Sequence, residues 1–221
     1  MTTSAPGLRE RKKLERRIQI LASSKRLFDR DGFEATSIEA IAAVVDVSVG
    51  TIYKFFPTKI DILAGLLREE LESHMAATPR ITAVSAHEPQ EGICRLLQQE
   101  IRALAKLPKG SLSLITAHAL ATGQATETGR IYAATDEYLR NEVRSLLIEY
   151  QGNGSIAPGA NIESMSGLIF SSANGEYLSW LAGETASLDH VFARLREFLV
   201  IIFAGVAALN PAGKNKSSVA R

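Results

Sequence analysis

Apolar residues recur at helical spacing through most of this chain, and no stretch alternates apolar with polar as a half-buried strand does. The pattern predicts an all-α protein. A first helix is expected over about 9–30, with Leu14, Ile18, Leu21, Lys25 and Phe28 on one stripe. Asp31-Gly32 ends it, because Gly32 suits the left-handed position after a helix. Thr36 is placed to cap a second helix, with Glu39 three residues on as its capping-box partner and Ile38, Ile41 and Ala42 facing inward. The turn is 44–47. Ser48 then caps a short third helix at 49–55, held by Ile52, Phe55 and Phe56. Pro57 breaks it, and Thr58 with Asp61 makes a second capping box for a fourth helix reaching about residue 77. Further helices are expected at 88–107, 111–121, 127–151, 162–182 and 188–209, with an arm at 1–8 and a Pro-, Lys- and Ser-rich tail at 210–221 expected to be loose.

Two short helices joined by a tight turn form a device for seating one helix in a DNA groove. Charge supports that use. The net charge of the chain is +1, but up to Lys59 there are 11 Lys and Arg against 7 Asp and Glu, and beyond it 14 against 17. The basic excess therefore sits with the helix-turn-helix. A recognition helix also needs a small leading face, which Val49, Gly50 and Thr51 supply. The Thr51 hydroxyl suits a base edge, and its methyl or that of Val49 suits a thymine methyl. Ser48, Tyr53, Lys54 and Lys59 lie where phosphates pass, and Arg9, Arg11, Lys12, Lys13, Arg16 and Arg17 reach phosphates or the minor groove. Caps and basic runs are common for structural reasons alone. The joint pattern carries more than any member of it.

The segments Ile20-Leu21-Ala22, Leu27-Phe28, Gly32-Phe33, Thr36-Ser37-Ile38, Ile41-Ala42, Val47 to Tyr53, Phe56-Pro57, Thr58-Lys59 and Leu63 resemble the N-terminal signature of TetR-family transcriptional regulators. The likeness covers about a fifth of the chain. Asp46 departs from it, standing in the turn where the family usually has Gly, so a slightly strained turn is expected. The resemblance implies a helix-turn-helix domain at 9–57 and a ligand-binding and dimerisation domain at 58–209. It also implies a homodimer on double-stranded operator DNA, usually as a repressor, released by a small-molecule effector. On this basis the DNA-contact candidates are Arg16, Thr36, Ser37, Ser48, Val49, Gly50, Thr51, Tyr53, Lys54 and Lys59.

For the second domain the residues say less. Gly167, Ser171 and Gly175 recur every four residues on one helix face and permit close helix approach. Phe192, Leu195, Leu199 and Ile202 belong to a wide apolar face on the last helix, which is either ordinary core or, paired across a two-fold axis, a dimer seam of the family's kind. His118, Tyr138, Asn174 and Tyr177, together with Tyr132 and Trp180, lie on helices that line the family's pocket. The absence of a dense charge cluster there favours a neutral or weakly polar ligand.

Other classes fit poorly. The four histidines have no metal-ligand spacing, so no metal or cofactor is expected. There is no nucleophile elbow, phosphate loop or dinucleotide fingerprint, so no catalytic residue is assigned. The lone Cys94 excludes an internal disulfide, and the longest apolar run, 198–209, is too short for a membrane span, so a cytoplasmic protein is expected. The alternatives that remain are a helical adaptor and a nucleoid-type DNA-binding protein without an effector.

Overall fold

The computed structural model describes residues 7–86 and 88–209. The expected arm, apart from Gly7 and Leu8, lies outside the described residues, as do the tail and His87. Among the described residues are nine α-helices, one turn of 3₁₀ helix and no strand. They are α1 Leu8–Asp31, α2 Ile38–Val45, α3 Val49–Phe55, α4 Lys59–Ala77, α5 Pro89–Leu104, α6 Lys109–Thr122, α7 Glu127–Gly152, α8 Ile162–Ala182 and α9 Leu188–Leu209, with the 3₁₀ turn Gly123–Ala125 before α7.

Three local expectations are corrected. On α1, Leu14 and Ile18 are more than half exposed, while Ile20, Leu21, Ser24 and Leu27 are buried. The inward stripe is thus rotated from the expected one, and it admits Ser24 because that hydroxyl donates to the Ile20 carbonyl at 2.8 Å. On α2 the cap is Ser37, not Thr36. The Ser37 oxygen accepts the Ala40 N–H, whereas Thr36 is buried and donates to the Gly32 carbonyl. α5 stops at Leu104 because tight i→i+3 bonds take over at Lys106 and Leu107, and α6 starts two residues early, directly after Pro108.

The chain divides into two compact units. The first takes everything described up to Glu72 together with Leu114–Ile131; the second takes Ser73–Ser113 and Tyr132 onward. The division therefore falls inside α4, α6 and α7, away from the expected boundary at 57–58. The first unit is built on a core of Ile20, Leu21, Leu27, Ile38, Ile41, Ala42, Ile52, Phe56 and Ile62, with Val45, Val47, Val49 and Phe55 packed on it. Residues from α1, α2, α3 and α4 meet there, which fixes the short α3 in place.

In the second unit α9 packs on both α5 and α8. Phe192, Leu195 and Leu199 are buried within the single chain, and the Arg102 guanidinium covers the Phe192 ring at 5.1 Å. These three side chains are core of their own unit and leave no face for a partner, which corrects their assignment to a seam. Ile202 is half-buried. What α8 and α9 leave outside is the expected Ser171 and Gly175 on α8, joined by Leu168 on α8 and by Val200 and Ile201 on α9.

Candidate nucleic-acid interface

α3 owes its position to chemistry at both ends. Ser48 is extended and accepts the Thr51 N–H at 3.2 Å, while its hydroxyl pairs with the Thr51 hydroxyl at 2.9 Å. Before it, Asp46 takes φ 56° and ψ 57°, the left-handed conformation that lets the chain reverse between α2 and α3; it is the one described non-glycine residue with positive φ. At the far end Thr58 and Asp61 make the expected capping box: Asp61 accepts from the Thr58 N–H and hydroxyl, and Thr58 accepts the Asp61 N–H.

Outward, α3 presents Gly50, Tyr53 and Lys54, with Ser48 at its start and Thr51 half-buried beside them. A Cβ on Gly50 meets only the Ser48 hydroxyl, at 3.9 Å. Nothing in this chain therefore requires glycine there, whereas a surface approaching the helix gains room from it. Ser37 is exposed and Val49 is half-buried against the core.

Two candidates are otherwise engaged, and a third, Arg16, is engaged through one nitrogen only. Thr36 is buried with its hydroxyl bonded, so it has no outward face. The Lys59 ammonium donates to the carbonyls of Phe33, Glu34 and Thr36 at 2.7, 3.2 and 3.1 Å and sits 4.3 Å over the Phe33 ring. An ammonium has three donors, so Lys59 is a clasp on the α1–α2 loop with none left for phosphate. Arg16 is half-buried, with a nitrogen 3.4 Å from the Val45 carbonyl.

The same unit holds an arrangement that the sequence did not disclose. Glu127, in the first turn of α7, bonds Arg17 at 2.6 Å and lies 3.4 Å from Arg68. Arg17 also reaches the Phe55 carbonyl and stacks over Phe56 at 4.3 Å, touching the end of α3. Next door, the Thr128 hydroxyl donates to the buried Asp61 carboxylate at 2.7 Å. The corner is tight: Thr126 accepts the Gly129 N–H, and a Cβ on Gly129 would stand 1.7 Å from the Gly123 carbonyl oxygen. The bonds from Glu127 to Arg17 and Arg68 and from Thr128 to Asp61 span 59 to 110 residues, so periodicity carries no sign of them.

The ligand candidates fall in both units. His118 belongs to the first unit, and Tyr138, Asn174 and Tyr177 to the second. His118 Nε2 is buried without a hydrogen-bond partner. Asn174 hydrogen-bonds Tyr132, whose phenol burial pushes up, and Tyr177 is buried with its ring 5.9 Å from that of Trp180.

A helix-turn-helix with capped helices and an open small-residue face, in a chain that also holds a second helical unit, defines the regulatory DNA-binding class of fold. Residues 20–66 match the family described as bacterial regulatory proteins, tetR family. It is 30% identical over 121 residues to the HTH-type transcriptional repressor KstR of Mycolicibacterium smegmatis, covering 53% of this chain and 59% of that protein. To the KstR of Mycobacterium tuberculosis it is 25% identical over 175 residues, 79% of this chain and 75% of that one. The fold is that of a TetR-family transcriptional regulator from Syntrophomonas wolfei, with a TM-score of 0.60, 18% identity, and 90% and 100% of the two chains covered. The chain thus spans a little under two thirds of the first of these relatives.

Proposed function

We propose that this chain is a transcriptional repressor that binds a palindromic operator in double-stranded DNA as a homodimer and leaves it when a small effector binds the second unit. The observation that carries the reading is the outward face of α3: Gly50, Tyr53 and Lys54 are exposed on a helix whose opposite side is fixed in the core by Ile52 and Phe56. Ser48, Val49 and Thr51 complete the surface for base and phosphate contact, with Ser37 and Arg16 at its edge. The names of the relatives, repressors both, favour repression over activation. The compartment implied is the cytoplasm, and none of the described helices is long and apolar enough to cross a membrane.

Dimerisation rests on the outer face of α8 and α9. Leu168, Val200 and Ile201 are 58, 53 and 67% exposed. A Cβ on Gly167 or Gly175 would meet nothing within 4 Å, so the chain's own packing does not call for the small stripe Gly167, Ser171, Gly175. A two-fold mate would use both features, burying the apolar residues and approaching closely over the small ones. Two copies of α3 would then address half-sites roughly 34–36 Å apart or a larger spacing.

Release needs a coupling of about 1–3 kcal/mol between effector and operator. Three helices, α4, α6 and α7, run through the division between units, so a ligand that shifts any of them in the second unit biases the first. Light scattering with an operator titration tests the reading: the wild type is expected to be a dimer at micromolar concentration, and Ile201→Arg a folded monomer with weakened operator binding. A monomeric wild type, or an Ile201→Arg dimer, contradicts the seam.

A further inference from the structure

The second unit contains a buried acid–base pair that the fold does not close. The His74 side chain, near the end of α4, is 10% exposed, that of Glu100 on α5 is 8% exposed, and His74 Nε2 stands 3.6 Å from Glu100 Oε1. That separation is too long for a hydrogen bond. The other imidazole nitrogen, Nδ1, lies 3.1 Å from the Thr78 hydroxyl. With Thr78 donating to Nδ1, the ring proton sits on Nε2, the tautomer that the facing carboxylate favours. Nε2 is buried and has no hydrogen-bond partner. The carboxylate accepts the Gln99 side-chain N–H at 3.2 Å and keeps further lone pairs. Buried polar groups left unsatisfied are rare in native folds, and each needs a reason.

The surroundings limit what the pair can take. Leu97 and Ile101, beside Glu100 on α5, are buried. Burial, reinforced by the charges of Glu100 and Glu142, pushes the Tyr138 phenol up to about 12, so it remains a neutral hydroxyl. An anion would meet the Glu100 carboxylate, since Glu142 is already paired with Arg80 at 3.1 Å. A cation would satisfy Glu100 but oppose a donor to the His74 N–H. A ketone or ether would accept from His74 and give Glu100 nothing. A hydroxyl does both, because it accepts and donates through one oxygen.

We propose that His74 and Glu100 are the polar anchor of the effector site and take the hydroxyl group of an otherwise apolar, uncharged molecule. The hydroxyl oxygen accepts from His74 Nε2–H, and its hydrogen goes to Glu100. This rests on the effector reading above and names the ligand class for it.

The test is a matched series of probes: 1-octanol, octyl methyl ether, octanoate and octylammonium, titrated calorimetrically into the full-length protein. Octanol is expected to bind at least ~10-fold more tightly than the ether, the loss typical of one hydrogen bond to a charged group. In the double variant His74→Phe/Glu100→Leu, folded by circular dichroism, the ratio is expected to fall to about 1; replacing both members of a buried pair by apolar groups is often tolerated. Glu100→Gln, which keeps the shape, should narrow the ratio in the same direction. No octanol binding, equal binding of ether or octanoate, or a preference that survives in the variants overturns the assignment. DNA release by octanol, followed in parallel, separates the two claims. Release unchanged by the variants removes the anchor and leaves the effector reading. Selective binding without release does the reverse.

Discussion

The helix-turn-helix and the second unit settle their polar groups over different distances along the chain. Ser37 bonds Ala40, Ser48 bonds Thr51 and Thr58 bonds Asp61, each three residues away. In the second unit Arg80 reaches Glu142 and Glu149, and Tyr150 reaches the Ala86 carbonyl, over 62 to 69 residues. Local satisfaction makes a short helix self-defining and leaves its outer face free for another molecule. Long-range satisfaction ties helices together and leaves the identity of any bound molecule to a few interior groups.

Two glycines offer the strongest way to probe that contrast. Gly129→Ala places a methyl 1.7 Å from the Gly123 backbone oxygen, and backbone yields poorly. We expect a loss of at least about 3 kcal/mol in urea unfolding. Gly92→Ala places a methyl 1.9 Å from the Tyr150 hydroxyl and must displace it from the Ala86 carbonyl. We expect about 2–3 kcal/mol from crowding and the lost bond, with Tyr150→Phe in the same chain recovering part of it. Strict additivity of the two changes would mean that they do not compete for the same space.

Smaller effects separate structure from contact within the first unit. Lys59→Met removes three charge-assisted bonds to carbonyls and should lower stability by about 1–2 kcal/mol, with little change in the salt slope of DNA binding. Lys54→Ala should do the opposite, leaving thermal stability within about 0.5 kcal/mol and reducing the salt slope by about 1. Exchange of these two outcomes would return Lys59 to the phosphate role. The mildest change is Asp46→Gly, which relieves the left-handed backbone at φ 56° and should raise stability by about 0.5–1 kcal/mol; a loss would show that the aspartate side chain does something beyond filling the turn.

Most of the first unit was readable because its signals are short-range. The α3 limits, the Ser48 cap, the Thr58–Asp61 box and the strained Asp46 all follow from neighbours within a few residues. Thr36 and Ser37 are hard to tell apart because either residue type can cap, and only the bond from the Thr36 hydroxyl to the Gly32 carbonyl decides between them. Lys59 misled because a basic residue near a groove-binding helix looks like a phosphate contact until the three carbonyls of the preceding loop surround it. In the second unit the limits of α8 and α9 were legible, but which face turns inward was not. Phe192, Leu195 and Leu199 form a good stripe, and whether such a stripe meets its own unit or a second copy depends on α5 and α8, far away in sequence. His74 and Glu100 had no distinguishing pattern at all, since their importance comes from facing each other across two helices.

The central claim is that α3 reads operator DNA from a dimeric protein. The most direct measurement is selection of genomic fragments by the purified full-length protein, with affinity for the selected DNA taken at two salt concentrations for wild type and Lys54→Ala. An enriched palindrome, bound tightly with a steep salt dependence that Lys54→Ala flattens by about one unit, is the expected result. Uniform weak binding with no enriched site, and no effect of Lys54→Ala, would contradict the claim and return the chain to the nucleoid-type or adaptor readings.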